Sequence, residues 1–149
     1  MSEKNFWTFV KKNLKLKMYR VENRVSSGMP DIHYISEEGS GWIELKYIKE
    51  LPKKGSVKSG LRRAQSIWHD AYQRNGGQSW ILLRVGRRDV ILINGCHALD
   101  ISKGMTSVNF LRKSSWSHRG NFDEGIWDSL KGAINAKDKE NIRSVGEGK

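Results

Sequence analysis

Apolar and polar positions along the chain fall into two periods, and switches between them mark the elements. Phe6, Phe9, Val10 and Leu14 recur at helical spacing, so residues 2–15 predict a helix with Ser2 as N-cap and Lys4, Lys11 and Lys15 on the opposite face. Residues 17–24 alternate instead, with Met18, Arg20 and Glu22 on one side and Tyr19, Val21 and Asn23 on the other. A strand is the consequence. Two further strands, residues 28–34 and 41–47, flank a turn rich in Glu, Ser and Gly, which predicts a hairpin. Pro30 favours a strand start or edge, because it has no N–H to give a ladder. Leu61, Ala64, Trp68, Ala71 and Tyr72 predict a second helix over residues 60–75, closed by Gly76 and Gly77. Residues 80–85 are nearly continuously apolar, as in a strand covered on both faces, and residues 90–93 form its partner after a turn.

Beyond Asn94 the pattern weakens. Residues 95–120 read as an irregular extension in which Trp116 either stacks on an unpaired base or plugs a small core. Asn121 and Glu124 suggest a capping pair, ahead of a final amphipathic helix carrying Ile126, Trp127, Leu130, Ala133 and Ile134. That helix could pack on the sheet or pair with a second subunit. Residues 137–149 are polar and glycine-bearing, the composition of a disordered tail. The expected organisation is one α/β domain over residues 1–136, with its core in residues 2–94 and an extension over 95–136. Its order is helix, three strands, helix, two strands and a C-terminal helix. Strand order within the sheet does not follow from periodicity.

Charge adds a partner. The chain has 149 residues, and 27 Lys and Arg against 16 Asp and Glu give a net charge of +11 and a pI near 9.9. Such an excess points to a polyanion, most often nucleic acid. No run nears the roughly 20 apolar residues needed to span a bilayer, and no signal-like apolar core opens the chain, so no membrane role and an intracellular, cytoplasmic location are expected. The single cysteine, Cys96, excludes an internal disulfide and reads as a small packing residue, and four scattered histidines show no zinc spacing.

The candidate chemistry sits in the hairpin. Glu44 and Lys46 share one strand face, and hairpin pairing can bring the Asp31 carboxylate beside that of Glu44. A hard cation such as Mg²⁺, with Mn²⁺ able to substitute, takes one or two carboxylates and completes its shell with water and phosphate. Asp31 and Glu44 suit that role, the Leu45 backbone carbonyl offers another oxygen, and Lys46 could orient the attacking water or neutralise developing charge. The plain alternative is a hairpin with one surface salt bridge. Glu22 is a further acid, able also to pair with Arg20 or Arg24. His33 shares the face of Asp31 and is either a phosphate contact or a satisfied structural histidine.

These residues carry a resemblance. Ser27-Gly28-Met29-Pro30-Asp31 followed by Trp42-Ile43-Glu44-Leu45-Lys46 resembles the PD-(D/E)XK nuclease superfamily, in its VRR-NUC and Holliday-junction-resolvase-like branch common in phages, over roughly residues 2 to 94. The resemblance implies a restriction-endonuclease-like core with a mixed sheet and Mg²⁺-dependent phosphodiester hydrolysis leaving a 5′-phosphate and a 3′-hydroxyl. It matches Glu3 to a metal-site glutamate on the first helix, although a carboxylate there also offsets the helix dipole. It likewise matches Gln65-Ser66-Ile67-Trp68 to a glutamine-containing helix motif, placing Gln65 near a metal water or Lys46. Members of this branch are often homodimers that cut branched DNA, so junction resolution in phage DNA recombination is the leading expectation. Alternatives are an endonuclease that nicks or degrades ordinary duplex, a silent DNA-binding or inhibitor protein with a nuclease-like fold, and an RNA-directed protein.

Between Lys46 and Arg63 one sign of charge dominates. Lys49, Lys53, Lys54, Lys58, Arg62 and Arg63 face the lone acid Glu50, with Pro52, Gly55 and Gly60 interrupting regular structure. A mobile loop contacting the DNA backbone is the expectation, and His69 could extend its basic surface.

Overall fold

The computed structural model describes residues 2–22 and 27–136. Helix α1 (Glu3–Asn13) begins where Ser2 Oγ accepts the Asn5 amide at 3.1 Å, and it buries Phe6 and Val10. Strands β1 (Lys17–Arg20), β2 (Ile32–Ser36) and β3 (Gly39–Ile48) follow as an antiparallel meander. Helix α2 (Arg63–Arg74) then carries the chain back, so that β4 (Ser79–Val85) lies parallel to β3, and β5 (Asp89–Asn94) pairs antiparallel with β4. The element order and the mixed sheet of the restriction-endonuclease-like expectation are both present.

The extension is regular, contrary to the expectation. A 3-10 turn (Gly95–His97), α3 (Ala98–Lys103), α4 (Ser107–Lys113) and β6 (Trp116–Arg119) occupy it, and β6 completes a six-stranded sheet in the order β1-β2-β3-β4-β5-β6. Its helices span six and seven residues, too few to display a period in sequence. Trp116 takes the plain reading: its Nε1 donates to Ser129 Oγ at 3.0 Å, and the ring packs against the core. The last helix, α5 (Glu124–Ile134), is capped by Asp123 rather than Asn121, since Asp123 Oδ1 accepts the Ile126 amide at 2.9 Å. Cys96 is exposed, which corrects its reading as a packing residue. The proposed tail, residues 137–149, lies outside the described residues.

Two cores flank the sheet. Phe6, Val10 and Leu14 of the first helical segment meet Trp127, Leu130 and Ile134 of α5 over Ile43, Leu45, Trp80 and Leu82. On the other face Ile81, Leu83, Ile91 and Ile93 pack against Ala98, Ile101 and Phe110. Every residue of β4 is buried, as its continuous apolar run requires. Helices α1 and α5 therefore share one face, while α2, α3 and α4 stand on the face where Glu44 points.

Candidate active site

Sheet register brings the acids together. Ile32 pairs with Ile43, so Asp31 falls opposite Glu44 at the next step, and the Val21 amide donates to the Asp31 carbonyl at 2.6 Å. Lys46 follows two residues on and faces the same way. Its Nζ stands 3.8 Å from Glu44 Oε2.

Helix α2 supplies the next part. Gln65 Nε2 donates to Glu44 Oε2 at 3.3 Å, and Gln65 Oε1 accepts the Arg62 amide at 2.9 Å. The glutamine is buried and both ends of its amide are used. The turn before Asp31 is pressed against this helix: Gly28 has φ +92°, and a Cβ there would overlap the Ala64 carbonyl. Only glycine allows that approach.

A cleft of about 500 Å³ results, and Glu3, Asp31, Glu44, Lys46 and Gln65 all line it. These five side chains face one space, whereas His33, the phosphate-contact candidate, does not line it. Glu22 lines it too, as do Arg20 and Arg62. Arg20 was missed as a site residue. Its Nη2 lies 3.4 Å from Asp31 Oδ2, a contact readable from its place opposite Ile32 on the neighbouring strand. Leu45 directs its side chain into the opposite core, between the two functional positions of β3.

Electrostatics single out Glu44. It is 4% exposed. Burial pushes its carboxyl up to about 8, the Lys46 ammonium pulls it down, and the carboxylates of Asp31 and Glu3 push it up again. Its Oε1 is buried with no hydrogen-bond partner among the described residues. A hard cation in the cleft would satisfy that oxygen and relieve the repulsion between the acids, so the donor set fits Mg²⁺. Among the described residues no three acidic, His or Cys side chains are already gathered as a ligand cluster. One or two carboxylates suffice for Mg²⁺, with water and phosphate supplying the rest.

Of the predicted DNA-contacting residues, Arg62 lines the cleft, and Lys49 lines a separate pocket beside Arg87 and Arg88. Lys49, Lys53, Lys54, Lys58, Arg62 and Arg63 are all exposed. Their segment is tied down, which differs from the expected free loop: Val57 is buried and its amide donates to the Met105 carbonyl at 2.8 Å, while Ser107 Oγ donates to the Pro52 carbonyl at 2.6 Å. These anchors come from α4 and the loop before it, in the stretch whose elements the sequence did not reveal. Gly60 brings the segment over the Lys46 stem.

His69 does not join the basic surface. It is fully buried, with Nδ1 2.8 Å from Ser79 Oγ, and burial pulls its pKa down to about 4, so the ring is neutral at pH 7. The stripe inferred for α2 was rotated: Ser66 and His69, rather than Trp68 and Tyr72, occupy its buried face beside Gln65.

No family model and no curated protein matches the chain. Among solved structures it is similar to a Holliday junction resolvase of the archaeal hyperthermophile Archaeoglobus fulgidus, at 21% identity and a TM-score of 0.45, over 62% of this chain and 74% of that one.

Proposed function

We propose that the chain is a divalent-metal-dependent DNA endonuclease that hydrolyses phosphodiester bonds in this cleft. The observation that carries the reading is the convergence of Glu3, Asp31, Lys46 and Gln65 on a buried Glu44 whose Oε1 has no protein partner among the described residues. A pure DNA binder has no use for acids placed against phosphate.

Asp31 and Glu44 would hold Mg²⁺, with Glu3 and the Leu45 carbonyl as further oxygen donors and Mn²⁺ as a substitute. The cation supplies Lewis acidity toward the phosphate oxygens. Gln65 fixes Glu44 Oε2, while the buried Oε1 has no partner among the described residues. Arg20 holds the half-exposed Asp31 in place. Lys46 donates to the attacking water, orienting a lone pair toward phosphorus, and offsets charge that grows on the phosphate in the transition state. Arg62 at the rim binds a neighbouring phosphate, and Lys49, Lys53, Lys54, Lys58 and Arg63 extend that contact along the backbone.

Branched DNA, four-way junctions first, is the proposed substrate, cut by a homodimer with paired active sites in phage DNA recombination. This part rests on the sequence resemblance. The test is cleavage of matched four-way-junction, forked, duplex and single-stranded DNA in Mg²⁺, with Asp31→Ala and Lys46→Ala beside wild type. Paired cuts at the junction, lost in both variants, are expected. Uniform cutting of all forms would move the reading to a general endonuclease, and tight binding without cutting in Mg²⁺ or Mn²⁺ would overturn it.

A further inference from the structure

Resting on that reading, we propose that Tyr19, His33, Trp42, Trp68 and Tyr72 form a stacking platform for unpaired bases of the DNA strand whose phosphate lies in the cleft. Tyr19 pairs with His33 and His33 with Trp42 across β1, β2 and β3. Strand alternation puts His33 on the face of Asp31 and Trp42 on the face of Glu44, each one step of about 7 Å from its acid. The strip borders the cleft directly.

The rings touch in series. His33 and Trp42 centroids lie 4.9 Å apart, Trp42 meets Trp68 edge-on at 6.1 Å, and Trp68 stacks on Tyr72 at 4.6 Å. None of these is in either buried core. Helices α1 and α5 cover the opposite face of the sheet, and on this face Tyr19 of β1 is 50% exposed and Ile35 of β2 is 46% exposed among the described residues. A row of aromatic rings, half-buried except for the exposed Tyr19, beside a phosphodiester site is a place for bases, because every base has a π-face and each stacking contact strengthens binding without reading sequence. Bases held in a duplex remain in their own stack. The platform therefore favours DNA whose bases are unpaired next to the cut, as at a branch or fork.

Charge favours this occupant over a second copy of the chain. The chain as a whole carries a net +11, which a nucleic acid strand complements and a second copy of the chain does not. The exposed turn bearing Glu37 and Glu38 lies at the other end of the β2–β3 hairpin from Asp31 and Glu44.

The test uses the full chain in EDTA, where binding is read without cleavage. Fluorescence anisotropy measures affinity for a short labelled oligothymidylate and for a duplex of equal length, with wild type, Trp42→Leu, Trp42→Phe and Tyr19→Ser. Trp42→Leu should weaken single-strand affinity about tenfold relative to duplex affinity, Trp42→Phe should restore most of it, and Tyr19→Ser, at an exposed position that leaves packing intact, should weaken it severalfold. Unchanged single-strand affinity in both Trp42→Leu and Tyr19→Ser would overturn the platform. So would light scattering that shows a wild-type dimer dissociated by Tyr19→Ser while oligonucleotide affinity holds. Failure of the nuclease reading shows separately, as absence of metal-dependent cleavage by wild type.

Discussion

Gln65 and Glu44 are joined through a single amide hydrogen bond, Nε2 to Oε2 at 3.3 Å, whose other end caps α2 by accepting the Arg62 amide. The helix start and the carboxylate on β3 are thereby held as one unit. Gln65→Leu fills the same space and removes both bonds. It should lower cleavage about 10- to 100-fold, the usual effect of losing a residue that orients a metal ligand. Steady-state cleavage over a Mg²⁺ series, with circular dichroism to follow the fold, checks this.

Glu44 is placed at a cost to the metal-free fold. Its carboxyl titrates near 8 in the folded chain against 4.5 ordinarily, so between those values the folded state holds a proton that the unfolded state has lost, and stability falls as pH rises. Glu44→Gln removes that cost. In EDTA at pH 7 the variant should be more stable than wild type by about 3 kcal/mol, and a cation that binds the native state should stabilise wild type alone. Thermal unfolding with and without Mg²⁺ reads both effects, and equal stabilisation of the two proteins by Mg²⁺ would remove Glu44 from the metal site.

Much of this site was legible because its parts lie on elements with a clear period. Glu44 and Lys46 sit on β3, whose alternation fixes their face, Asp31 lies immediately before β2, and Gln65 lies in the first turn of α2. What failed to show was whatever depends on partners distant in sequence. Arg20 meets Asp31 only through strand pairing, and His69 is buried by Ser79 and the turn at Gly95, neighbours that a helical wheel of α2 does not contain. The rotated stripe of α2 follows from the same cause: its aromatic residues turn toward β3, while small and polar ones face the interior. Helices α3 and α4 were hidden by shortness, although Ile101, Met105 and Phe110 are all core residues.

His69 gives the fold an acid limit. The unfolded chain takes up its proton as pH falls below 6.5, whereas the buried ring stays neutral down to about 4. The folding contribution is complete above about pH 6.5, declines across that window and levels off below 4, a loss of about 3 kcal/mol. His69→Asn keeps a polar partner for Ser79 and cannot titrate. Chemical denaturation from pH 4 to 7 should show a shallower pH dependence for the variant, and parallel curves would contradict the assignment.

The anchored basic segment should act through phosphate charge. Replacing Lys53, Lys54 and Lys58 with Gln should reduce the slope of log affinity against log salt by about 0.9 for each phosphate that the variant no longer neutralises, similarly for every duplex sequence. Binding isotherms at several NaCl concentrations measure it. A slope equal to that of wild type would place the DNA path elsewhere.

Gly28 connects the fold to the chemistry. Its φ of +92° disfavours any side chain, and its Cα sits against the carbonyl of Ala64 in the first turn of α2, one residue from Gln65. Gly55 has a comparable φ of +78° but faces open space. Alanine at either position meets a backbone penalty of about 1–2 kcal/mol. Gly28→Ala must in addition push the Asp31 strand away from the helix that holds Glu44. It should therefore destabilise the chain by about 2 kcal/mol more than Gly55→Ala, of the order seen for overpacking, and depress cleavage well beyond what its stability loss explains. Denaturant unfolding paired with cleavage at low temperature, where both variants are folded, separates the two effects. Equal stability losses with equal activity would mean that the turn carries Asp31 without leaning on α2, and the acid pair would then owe its geometry to the β2–β3 register alone.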